Sequence, residues 1–205
     1  MTRRRLLLAA APAVAAFAAP PPLIVPIHRV MDSRAKLKPE QLRFFSTKLW
    51  PETVRDFGQC GIQFQVTESP GEIKRSPADR PIFTGLDRGA INLIVTDHIP
   101  MYWDRGRSLA GVTTIYDTFH LCVIALPYAH GNQAPFFSVN TCEHELLHAL
   151  MQDVFVQHPK WYQTGEHEFR IDWYASRLWL FHEGAAVRQS AEAYVARLRA
   201  AAGGR

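Results

Sequence analysis

The residues best suited to chemistry are His144, Glu145 and His148, which form an H-E-x-x-H pattern in the run His144-Glu145-Leu146-Leu147-His148. On a helix, positions four apart share a face, so both imidazoles can bind one metal ion while Glu145 is displaced around the helix. Such a pair suits zinc, and a carboxylate beside a zinc-bound water serves as general base in hydrolysis. Cys142 stands two residues before His144, where it is a third metal ligand, a redox-sensitive neighbour, or a small buried apolar residue or disulfide half. The competing reading of the motif is an ordinary core helix whose histidines bind no metal. That reading buries two imidazoles and two carboxylates among leucines, at a desolvation cost.

The motif needs a helix, and the local sequence supplies one. Asn140 is placed to be the N-cap, and Glu143 at N3 approximates a capping box with Asn in place of Ser or Thr. The run from Glu143 to Phe155 lacks Gly and Pro and is rich in Leu, Ala, Met and Val, which predicts one largely buried helix.

Upstream, Leu23 to Val30 predicts a strand, followed by a helix opened by Pro39 with the apolar stripe Leu42, Phe45 and Leu49. Pro51 is expected to break or kink it, with a second helical piece to about Phe57. Alternation over Ile62 to Val66 predicts a half-buried strand, and residues 67–89 read as a long surface loop. Ala90 to Thr96, Gly111 to Tyr116 and Leu121 to Leu126 are further strands. After the motif, a loop containing His158-Pro159 and Trp161-Tyr162 leads to a helix from about Gly165 to His182. Gly184 weakens or ends that helix, and an Ala-rich amphipathic segment follows.

Residues 1–18 read as an export signal: Arg3, Arg4 and Arg5, an apolar run from Leu6, and the Ala16-Phe17-Ala18 cleavage site. Thr2-Arg3-Arg4-Arg5-Leu6-Leu7 also resembles a twin-arginine signal, so Sec and twin-arginine export both stand, to the periplasm or the extracellular space. Left uncleaved, the segment would be a membrane anchor. Without those three arginines, the 20 remaining basic residues exceed the 19 acidic ones by one, and no basic stripe points to nucleic acid. Residues 19–205 make one domain of ordinary size. Cys60, Cys122 and Cys142 suit an oxidising compartment but allow at most one internal disulfide, whose pairing stays open.

Strands, helices and an H-E-x-x-H helix in this order resemble the zincin metallopeptidases over most of residues 19–205. The resemblance implies an α+β fold with a mixed, mostly parallel sheet, an antiparallel edge strand, the motif helix and a helical C-terminal part. It further implies an upper subdomain over about residues 23–150 and a lower helical one over about 151–205. His144 and His148 would bind Zn2+, Glu145 would be the catalytic base, and the substrate would be a peptide or protein. The strand around His120 to Leu126 would be the edge that an extended peptide joins by β-augmentation.

The upstream half looks like a metzincin's, but the metzincin continuation H-E-x-x-H-x-x-G-x-x-H finds Met151 and Val154 at its last Gly and His. Glu168, twenty residues after His148, and Asp172, four further on, match the gluzincin spacing. By that resemblance Glu168 is the third metal ligand, and Asp172 orients one zinc histidine. The competing reading of the two acids is a solvated charged face. Asp153, five residues past His148, is the alternative third ligand, with Asp172 itself, His167 and His158 behind it. His182, at the end of the second helix, is an oxyanion stabiliser or simply a cation favoured by the helix dipole. Tyr162 and Tyr174 either hydrogen-bond an intermediate or join Trp161, Trp173 and Trp179 in the core.

The leading expectation is an exported zinc metalloendopeptidase. The alternative is a zincin-fold protein that keeps zinc for structure or binding and turns over weakly or not at all. A di-iron bundle built on Glu145-x-x-His148 would need a second Glu-x-x-His, and the chain has none.

Overall fold

Only two residues separate Tyr116 from Phe119, and strands joined so tightly can pair only antiparallel. That hairpin sets one edge of the sheet. The computed structural model describes residues 20–76, 81–99, 109–116, 119–131 and 140–203. In chain order the strands are β1 (Leu23–Asp32), β2 (Ile62–Gly71), β3 (Ile73–Arg75), β4 (Pro81–Phe83), β5 (Ile91–Thr96), β6 (Gly111–Tyr116) and β7 (Phe119–Ala125). Five of them form a mixed, mostly parallel sheet in the order β2-β1-β5-β7-β6, in which only β6 runs against its neighbour. With the helices packed on it, the fold is α+β.

The helices are α1 (Pro39–Phe44), α2 (Trp50–Gln59), α3 (Thr141–Leu150), α4 (Gln152–Val156), α5 (Pro159–Thr164), α6 (Glu166–Ala175) and α7 (Phe181–Gly203). Between α1 and α2, Phe45–Leu49 forms a π-helical turn. It lies just ahead of Pro51, whose ring nitrogen cannot donate to the turn before it, so the widened turn carries the chain past the proline without a break.

Every residue of β5 is buried, as expected of a strand covered on both faces. One face presents Ile91, Leu93 and Val95, with Cys122 and Ile124 of β7, to Leu49, Phe57, Leu146 and Leu150. Val187, Ala191 and Tyr194 of α7 belong to that same cluster, so the last helix shares the core of the sheet. On the opposite face, Ile94, Leu121 and Val123 meet Phe83 and Ile99.

Several expectations need correction. Phe119–Ala125 is not an edge: it pairs with β5 on one side and β6 on the other, and among the described residues the edge strands are β2 and β6. The expected loop over 67–89 holds the end of β2 and the β3–β4 ladder. The helix predicted over Glu143 to Phe155 breaks at Met151, and the one predicted from Gly165 to His182 ends at Ala175. The segment around His158 and Trp161 enters α5. Gly184 does not end a helix but lies inside α7, where a Cβ would stand 2.6 Å from the Leu178 carbonyl oxygen and 3.0 Å from Cys60 Cβ. A glycine tolerated for close packing looks, in sequence, like a glycine that stops a helix. The segment read as a signal lies outside the described residues, among which no helix is long and apolar enough to cross a membrane.

Candidate metal centre

Asn140 starts α3 as expected, its side-chain oxygen accepting from the backbone N–H of Cys142 at 2.9 Å and of Glu143 at 3.4 Å. Its amide donates to the Leu49 carbonyl at 2.7 Å, which ties the motif helix to the end of the π-helical turn. The capping box does not form. Glu143 instead turns inward, where both carboxylate oxygens are buried and no donor reaches them. Burial, with the Asp56 carboxylate beside it, pushes its pKa up to about 9. Both effects favour its neutral form.

With α3 so anchored, its inner face buries Leu146, Leu147 and Leu150, and a neighbouring face carries His144 and His148, ring centroids 4.8 Å apart. α6 lies alongside and brings Glu168 to both rings. His144 Nε2 and His148 Nε2 are 3.0 Å apart, and Glu168 Oε2 lies 2.9 Å from the first and 3.3 Å from the second. Among the described residues this is the one group whose donor atoms converge closely enough to hold a metal ion.

The triangle has the size a small divalent ion requires. Ligands at about 2.0–2.1 Å and tetrahedral angles are spaced by roughly 3.3 Å. The donor chemistry agrees, since two imidazole nitrogens 3.0 Å apart need a proton or a cation between their lone pairs. Asp172 Oδ1 accepts from His144 Nδ1 at 2.9 Å, leaving Nε2 to face the other donors. His167 Nε2 meets the remaining Glu168 oxygen, Oε1, at 2.9 Å, while its Nδ1 donates to the Trp161 carbonyl at 3.2 Å. Burial opposes a charge on His144, yet hydrogen bonds to Asp172 and Glu168 outweigh it and raise its pKa to about 10. Burial likewise works against ionised Glu168, but the two imidazoles hold it well below the usual carboxylate range.

Glu145 stands outside the triangle. Its carboxylate points toward β6, where Thr113 Oγ1 donates to Oε2 at 2.7 Å, and burial pushes its pKa upward. A cleft of about 690 Å³ opens here, lined by Gly111 to Ile115 of β6 together with His144, Glu145, His148, Glu168 and Asp172. The edge strand lining this cleft is thus β6, and of His120 to Leu126 only His120 reaches it.

The rival residues go elsewhere. Asp153 pairs with Arg197, and His158 stacks on Trp161 at 4.0 Å. His182 is exposed in the first turn of α7, not at a helix C-terminus, so the expected dipole argument does not apply. Tyr174 packs at the rim of the core with Trp161, whereas Trp173 and Trp179 are exposed, against the expectation that they are core. The side chain of Tyr162 lies outside the described residues. All three cysteines are free thiols, and Cys142 is a buried core residue rather than a ligand.

Two contacts were not foreseen. Thr113 reaches Glu145 across 32 residues of sequence, which no local pattern announces. His167 meets the outer oxygen of Glu168, so it braces that carboxylate rather than joining the triangle. No family model matches the chain, and no curated protein or solved structure shows significant similarity to it.

Proposed function

We propose that this chain is an exported, zinc-dependent metalloendopeptidase of zincin type, with a gluzincin-like ligand set. The observation that carries the reading is the convergence of His144 Nε2, His148 Nε2 and Glu168 Oε2 beside a carboxylate, Glu145, that takes no part in the triangle. Zinc held by these three residues would act as a Lewis acid and lower the pKa of water. Asp172 keeps the proton of His144 on Nδ1, so that Nε2 presents its lone pair. Glu145 takes the proton of the attacking water and passes it to the leaving amine. An extended peptide adds to the outer edge of β6, which lines the same cleft as Glu145. Export rests on the arginines and apolar run of residues 1–18.

The test combines metal analysis with proteolysis. Purified protein should carry one zinc per chain and cleave an unfolded protein substrate. Glu145→Gln should keep the zinc and lose about two orders of magnitude in rate or more. Zinc without cleavage by either form would reduce the metal to a structural or binding element. Protein that takes up no zinc on titration would remove the reading altogether.

A further inference from the structure

Glu145 is held by the strand that would receive the peptide. Thr113 Oγ1 is 2.7 Å from Glu145 Oε2 and 2.8 Å from the Glu145 backbone oxygen, so its two nearest acceptors both belong to Glu145, with Cys122 Sγ a longer third at 3.5 Å. Cys122 Sγ also donates to that backbone oxygen, at 3.4 Å, which pins the helix at this residue from the neighbouring strand. Two positions earlier on the same face of β6 is Gly111. A Cβ there would lie 2.5 Å from Glu145 Oε1, 2.6 Å from its Cγ and 2.8 Å from its Cδ, inside any tolerable contact. One residue thus holds one carboxylate oxygen, and the missing side chain of the other leaves room for the second.

We propose that Thr113 and Gly111 are positioning residues for Glu145, aligning the base with the strand on which the peptide is bound. This inference rests on the peptidase reading. A carboxylate free to rotate about its own bonds would spend part of its time turned away from the water it must deprotonate, and a misplacement of about 1 Å can cost on the order of a hundredfold in rate. With Thr113 fixing Oε2, Oε1 is held beside Gly111 of the same strand. Because strand and base are joined through one hydroxyl, the register of the bound peptide and the place of proton transfer are set together. Neither residue touches a metal ligand, so the effect is separable from metal binding.

The experiment compares zinc-loaded wild type with Thr113→Val, Thr113→Ser and Gly111→Ala, measuring zinc content, thermal midpoint, and kcat and KM on one peptide. Thr113→Val should retain zinc and hold KM within about twofold while kcat falls about ten- to a hundredfold, and Thr113→Ser should restore most of it. Gly111→Ala should lower kcat by displacing the carboxylate, with zinc again retained. Should Thr113→Val fail to fold, the Gly111→Ala and Thr113→Ser results decide. Equal kcat in wild type and Gly111→Ala, or a loss in Thr113→Val that Thr113→Ser does not recover, overturns the inference while the peptidase reading stands. Wild type that cleaves nothing brings down the peptidase reading, and this inference with it.

Discussion

Asp172 Oδ1 lies 2.9 Å from His144 Nδ1, and this contact decides which ring nitrogen of His144 faces the cleft. The carboxylate comes from α6 and the imidazole from α3, so the packing of two helices sets the tautomer of one side chain. Asp172→Ala is therefore expected to weaken zinc about ten- to a hundredfold without abolishing it. Competition with a calibrated chelator measures the change; unchanged affinity would make the contact incidental.

The third ligand can be tested by ranking. Glu168→Gln should lose zinc far more readily than Asp153→Asn, because Glu168 Oε2 meets both imidazoles whereas Asp153 pairs with Arg197. Zinc content after dialysis reads the order, and the reverse order would move the ligand to Asp153.

Metal should also stabilise the fold, since an ion that binds only the native state adds its binding free energy to folding. Chelator should lower the thermal midpoint of wild type and leave that of His148→Ala unchanged. A midpoint indifferent to chelator in both would show that no structural gain accompanies metal.

His120 gives a pH dependence independent of the metal centre. Burial lowers its pKa from 6.5 to about 4, and Gln152, Asp153 and Arg197 also act on it. Because the unfolded chain takes up the proton first, the stability from neutral His120 is fully present above pH 6.5 and is lost as pH falls from there toward 4. By pH 5 the loss is roughly 2 kcal/mol. Urea unfolding at pH 7.5 and pH 5 should show that difference in wild type beyond whatever His120→Leu shows, and parallel behaviour of the two would contradict it.

Gly184 offers a reversal of the usual helix rule. Replacing an exposed mid-helix glycine by alanine ordinarily gains about 1 kcal/mol. Here the added methyl meets the Leu178 carbonyl at 2.6 Å and Cys60 Cβ at 3.0 Å, so Gly184→Ala should destabilise by about 1–3 kcal/mol. A stabilised variant by denaturant unfolding would show that α7 has room to shift.

What could be read in the sequence was what short-range patterns encode. Asn140 as N-cap, the shared face of His144 and His148, and the strands at Leu23, Ile62, Ile91 and Gly111 all follow from neighbours within a few residues. Glu168 is legible only through a resemblance in spacing, and its convergence on the two histidines depends on how α6 packs on α3. The misreadings share one cause. Whether Glu143 folds back to cap or turns in toward Asp56, whether β7 lies inside or at the edge, and whether Gly184 ends a helix or admits a neighbour are settled by residues distant in sequence.

The bond from Asn140 to Leu49 also has a consequence in time. It spans 91 residues, and Thr53 reaches the same side chain across 87, so the capping side chain is tied down only after the N-terminal third of the chain has come back to meet it. Contacts closing so long a loop are among the slower events of folding. A chain emerging from synthesis, or threaded unfolded through an export channel, would carry both histidines long before it could hold them in place. Ion capture at this triangle would then wait on folding, and the compartment in which folding finishes would determine which metal the site first meets.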